Sequence, residues 1–392
     1  MIRKGEQNEA LNDALAAIWL AVPESADDKQ QLIAAKCRGL IRGYDARWRD
    51  AGYAVKMVER VLTAPLVNPA TGKRSRTFEI AGKLDVIAEQ YGRHVVIDHK
   101  TTSESIDDPN APYWRQLVVE AQPTHYMLLA EENGISVDGA VWDVIKKPDI
   151  RPKKLTKAER TAVVSSRRYF DVAVSQASLD WLQANESESL ELYEARLSYD
   201  CTHERPERYF QRRPVPRLQS EIIDYAHELW AHAEDIRNAR NRAKETQRVP
   251  PKSPKSCMMF GSPCRFLGIC SGHDTVESGN WTLKSHTHRE LGEGVSSEAL
   301  TNSRIGTFLS CKAKHFYEYE MGIERIDEEE KEALFFGSLL HLGLEAWWNC
   351  FVPSIGESSN EWISESASAP TVGDEATATD GTTAAGNTQL AE

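Results

Sequence analysis

The 392-residue chain lacks any long apolar run: its longest, residues 14–22, is far too short to span a bilayer. Met1-Ile-Arg-Lys-Gly-Glu6 lacks a signal-peptide pattern, so a cytoplasmic location is expected. An even set of cysteines is missing too. Seven thiols without a secretory signal argue against a disulfide framework. Basic charge is scarce: 47 Lys+Arg face 59 Asp+Glu, a net of −12, which superficially disfavours a nucleic-acid partner. That deficit is local. Residues 318–392 hold sixteen acids against Arg325 and Lys331, which leaves the first 317 residues at about +2. Basic clusters at residues 146–157, 205–217 and 237–255 each read alone as a solvated face. Together they are compatible with a surface that tracks a phosphate backbone.

What the chain does have is concentrated in residues 80–126. Two β-branched runs flank a turn at Tyr91-Gly92-Arg93, the pattern of a β-hairpin. The first run carries Gly82 and Asp85, and the second carries Asp98-His99-Lys100. Alternate strand residues share a face, so Asp98 and Lys100 point together. Two carboxylates are hard ligands suited to magnesium or manganese, and an ammonium beside them can orient water and offset phosphate charge. These are the parts of metal-assisted phosphodiester hydrolysis. Asp98 and Lys100 alone read first as a surface ion pair on an edge strand. Downstream, residues 114–133 read as one helix with Gln122 and Tyr126 on one face, and Pro123 either kinks it or marks its true start.

The ordered set Gly82-x-x-Asp85, Asp98-x-Lys100 and Gln122-x-x-x-Tyr126 resembles the core of the PD-(D/E)XK nucleases, in the RecB-like branch of iron–sulfur exonucleases found in phages and in CRISPR adaptation. The resemblance implies an α/β (α+β), restriction-endonuclease-like mixed sheet flanked by helices, with a cysteine-ligated subdomain. It implies that Asp85, Asp98 and the His99 carbonyl bind metal and that Lys100 is catalytic. Gln122 and Tyr126 would contact the DNA strand or brace the site.

Cys257, Cys264 and Cys270 fall within fourteen residues rich in Gly and Pro, a loop suited to zinc or to an iron–sulfur cluster. The segment resembles the cysteine triad of the iron–sulfur nucleases, which implies a [4Fe-4S] cluster with a fourth, distant ligand. Cys37 reads as a small buried hydrophobe in a helix, and Cys201 lies in an expected loop. Residues 299–320, with Cys311, resemble the opening of a RecB-like domain. Gly337-x-x-x-His341 resembles that family's metal-binding helix, which implies that His341 is a metal ligand.

In relatives this block comes first, so the chain is read as circularly permuted. Residues 1–270 form the core and triad, 271–298 a polar linker, 299–350 the displaced block, and 351–392 a disordered acidic tail. A truncated second copy or a swapped dimer are the rival readings of the block. The function implied is a magnesium- or manganese-dependent DNA exonuclease acting on ends or single strands. The alternative is a catalytically silent nucleic-acid-binding module.

Overall fold

The computed structural model describes residues 6–259, 262–326 and 331–353. The tail from residue 354 onward, expected to be without fold, lies outside the described residues.

Two helices lead the chain, α1 (Glu6–Leu20) and α2 (Asp28–Trp48). Asp27 caps α2 by accepting from the Gln30 amide, and the Gln30 side chain returns the bond, which fixes where the helix starts. A meander follows: β1 (Ala54–Val67), β2 (Arg74–Gln90) and β3 (Arg93–Thr102). Tyr91 and Gly92 take positive φ of 53° and 73° in the β2–β3 turn, the geometry of a tight hairpin.

The single helix expected over residues 114–133 is two. α3 (Pro112–Val118) stops, and α4 (Gln122–Glu132) restarts with Pro123 in its first turn. Proline has no amide hydrogen to continue a helix, but its fixed φ suits a helix start. The chain then enters β4 (Gly139–Lys146), buried along its whole length.

Residues 151–200 are largely helical, with α5 (Lys157–Ser166), α6 (Gln176–Ala184) and α7 (Leu190–Tyr199) around a small core of their own. Cys201, expected in a loop, instead lies wholly buried in a π-helical turn extending α7, packed against Gly43. Cys37 is buried in α2, as expected. The edge strand β5 (Phe210–Val215) and the long helix α8 (Gln219–Thr246) close this part.

The sheet runs β1-β2-β3-β4-β5, antiparallel except for the β3–β4 pair. A sixth strand arrives from far along the chain: β6 (Ala299–Leu300) pairs in parallel with Glu79 and Ile80 of β2. After it come α9 (Asn302–Ser310) and α10 (Glu332–Asn349). Strand alternation sends Val86, Ile97, Val141 and Ile145 to one core, shared with α1, α2 and α10. It sends Ile87, Val96, Trp142 and Val144 to the other, shared with α3, α4, α8 and α9. No helix among the described residues is long and apolar enough to cross a membrane.

Candidate active site

The β2–β3 ladder ends at Val86↔Ile97, one residue short of Asp85 and Asp98. Where the strands part, the Asp85 carboxylate accepts the His99 amide at 2.7 Å, standing in for the lost ladder bond. The parted end therefore holds two acids side by side, with α4 over one face of the sheet and α10 over the other.

On the α4 face the three motifs join into one chain of contacts. Lys100 Nζ lies 2.6 Å from Asp98 Oδ2 and donates to Gln122 Oε1 at 2.7 Å. Gln122 Nε2 in turn donates to the Tyr126 hydroxyl at 2.8 Å. The Tyr126 ring packs on Gly82, where an added Cβ would lie 2.9 Å from Tyr126 Cε1. Only glycine admits the ring, the ring sets Gln122, and Gln122 sets the lysine. Gly82→Ala is expected to cost about 1–3 kcal/mol through this overpacking. Thermal melting checks it, and an unchanged midpoint would break the chain of dependence.

On the other side, α10 delivers His341. One ligand atom each from Glu59, Asp85 and His341 lie within 4.8 Å of one another, a group able to hold a metal ion. Glu59 was not anticipated. It sits in β1 between the register pairs Val58↔Val86 and Arg60↔Leu84, opposite Asp85, with a left-handed φ of 50°. A non-glycine residue held there is strained, and such strain is concentrated at functional sites. Lys83 contacts the Glu59 carboxylate, so the acid has a counter-charge when no ion is bound. Asp98 stands outside this group, held by Lys100. The His99 ring turns to the opposite face of β3, where Nδ1 lies 3.1 Å from Asp143.

The electrostatics suit a cation. Burial, with the Asp98 carboxylate next, pushes Asp85 up to about 7. Burial raises Asp98 as well, against the pull of Lys100. Burial, with His99 and Lys100, lowers His341 to about 3, which keeps its imidazole neutral and able to coordinate. An acid whose folded pKa lies above its unfolded value of about 3.9 favours folding most below that value, and the contribution fades as pH rises through about 7. A divalent cation binds the carboxylate form and reverses this loss. The rise in melting temperature on adding magnesium is therefore expected to be larger at about pH 8 than at about pH 5. Equal rises at both would contradict it.

The network behind the site ties α10 to the sheet. The Trp347 indole donates to Asp45 at 2.9 Å, and the Trp348 indole donates to the Tyr44 hydroxyl at 3.1 Å. Tyr44 donates to Asp143 at 2.6 Å, and Arg212 Nη2 lies 3.1 Å from the same carboxylate. Burial alone would raise Asp143, but Arg212 and His99 outweigh it and hold the acid well below the usual range. Burial alone would lower His99, but Asp143 raises it.

The cysteines gather separately. Burial raises the Cys270 thiol, helped by its neighbours Cys264, Cys311 and Cys257. The Ser253 amide points at Cys311 Sγ from 3.3 Å. Phe266, Trp281 and Tyr317 pack an apolar shell around the thiols, which form no disulfide. Thiols are donors that zinc and iron–sulfur centres use, but among the described residues no three of these sulfurs lie within 4.8 Å of one another.

Set against known proteins, the family profile described as the PD-(D/E)XK nuclease superfamily matches residues 1–271 and 299–385. No curated protein and no solved structure matches the chain.

Proposed function

Because the chain belongs to the PD-(D/E)XK nuclease superfamily, we propose that it is a magnesium- or manganese-dependent exonuclease that hydrolyses DNA at ends or single strands. The observation that carries the reading is Lys100 held between Asp98 and Gln122, beside the Glu59–Asp85–His341 group. Asp85, Glu59, His341, Asp98 and the His99 carbonyl would hold the ion, whose chemistry is to polarise the phosphate and lower the pKa of a bound water. Lys100 orients the attacking water and offsets the charge that develops on phosphate. Gln122 fixes the lysine, and Tyr126 fixes Gln122.

Residues 299–350 complete this site within the same chain, so the order of segments is permuted relative to the family. The order rests on the resemblance of residues 299–320 and Gly337-x-x-x-His341 to the family's opening; the family match leaves residues 272–298 between the two blocks unmatched. Cys257, Cys264, Cys270 and Cys311 hold a structural [4Fe-4S] cluster, with zinc as the other candidate. Iron and sulfide content of the purified protein decides between them.

The test is cutting of end-labelled linear DNA with magnesium, alongside a closed single-stranded circle. Shortening of the linear strand with the circle intact is expected. Cleavage of the circle would make the protein an endonuclease, and no cutting of either would leave only a binding module.

A further inference from the structure

Gln122 joins α4 to Lys100, so its reach depends on where α4 begins. That start is weakly defined by the helix's own residues. Ala121 precedes it and has no side chain able to cap. The Gln122 side chain is engaged with Lys100 and Tyr126 instead. The break between α3 and α4 is exposed as well: Val118 and Val119 are 67% and 81% exposed, so burial of their side chains does not fix it. A helix that stops here also leaves carbonyls without partners inside the helix.

Arg217 supplies bonds to this segment from outside. Its Nε donates to Thr124 Oγ1 at 2.9 Å, and its Nη2 donates to the carbonyls of Val118 and Glu120, each at 3.1 Å. Glu120 and Thr124 lie two residues before and two residues after Gln122, so the guanidinium grips the chain on both sides of it. Thr124 is buried, so the fork reaches beneath the surface. A neighbouring carbonyl, that of Leu117, accepts the Trp142 indole at 3.3 Å, and the same indole ring lies 5.1 Å from Lys100 Nζ.

The base from which Arg217 reaches is stiff. It sits in the short connection from β5 to α8, behind Pro214 and Pro216, whose rings restrict φ. β5 is paired to β4 through Pro214 and Val215, and the Leu218 amide donates to Glu221 at 2.6 Å where α8 starts. A planar fork of fixed donors can hold several acceptors at once, which a lysine ammonium on a flexible stem does not reproduce.

We infer that Arg217 is a positioning residue for cleavage: it fixes the start of α4, which sets Gln122 and through it Lys100. The inference rests on the nuclease reading for the reaction that Lys100 serves.

The experiment uses the full chain carrying Arg217→Met, which keeps an apolar stem and removes the fork, alone and combined with Gln122→Ala. Rates on end-labelled single-stranded DNA are measured at saturating magnesium. Arg217→Met is expected to lower kcat about 10- to 100-fold and to change KM less than about threefold, the pattern of a displaced reacting group. In the Gln122→Ala background the same substitution is expected to change kcat less than about threefold, because the group it positions is already gone. Equal fractional losses in both backgrounds would overturn the inference, as would an unchanged kcat in Arg217→Met.

A second readout needs no cutting. Acetylation of Lys100 by acetic anhydride in EDTA is followed by peptide mass spectrometry. Lys100 is expected to react at least about threefold faster in Arg217→Met, as local opening frees it. In the double variant it is expected to react no faster than in Gln122→Ala. Melting temperature reports folding, and Thr124→Val, which removes one of the three acceptors, replaces Arg217→Met if that variant does not fold. A wild type that never cuts refutes the exonuclease, and the labelling rate then decides alone: faster labelling supports the clamp and an unchanged rate overturns it.

Discussion

Lys100→Ala is expected to slow DNA cutting about a thousandfold, the scale on which loss of one aimed charge-stabilising group acts. The folded protein should survive the change. Lys100 is the ion partner of a nearly buried carboxylate, and removing a partner ordinarily strands a charge. Asp98 has a remedy: burial already favours its neutral form, and without the ammonium it takes up a proton. The variant should therefore need more magnesium for half-maximal activity and should improve as pH rises. Cleavage rates at saturating magnesium, measured beside a thermal melt, separate the two effects. Retained cleavage by Lys100→Ala would dismiss the assigned chemistry, because no other ammonium lies against Asp98 and Gln122 among the described residues.

Trp347→Ala is expected to have the largest effect on stability, about 3–5 kcal/mol. The side chain is 2% exposed, its ring meets Tyr44 edge-on at 5.1 Å, and its indole satisfies buried Asp45. Deleting it opens a cavity and removes a partner from a carboxylate. His341 rides on the same helix, so the magnesium requirement should rise in step with the fall in melting temperature. If α10 serves its own chain, activity per molecule stays constant on dilution. Activity that falls on dilution would reassign the helix to a neighbouring copy. Normal magnesium dependence in a strongly destabilised variant would cut the link between helix docking and the site.

The core of the site was legible because its residues are local. Gly82, Asp85, Asp98, Lys100, Gln122 and Tyr126 lie on one hairpin and the second helix after it, and alternation with helical spacing brings them together. The break before Gln122 was signalled by Pro123. Glu59 was not legible. An acid in an alternating strand is ordinary, and its approach to Asp85 needs both the β1–β2 register and a left-handed backbone that no glycine announces. The brace formed by Tyr44, His99, Asp143 and Arg212 was equally hidden, since its members sit on α2, β3, β4 and β5. Two of them are buried charges whose partners are set only by strand pairing. His341 and Cys311 were found through resemblance, since periodicity alone makes one a core histidine and the other a stray thiol.

The late arrival of α10 has a consequence for how the protein is made. Asp85, Asp98 and Lys100 leave the ribosome while some 240 residues before His341 are still to be added. Until α10 emerges and its two tryptophans seat against α2, the nascent chain has acids but no His341 imidazole beside them. With the proposed ligand set, a hydrolase built in this order stays harmless while β2 and β3 emerge and is armed only when α10 docks.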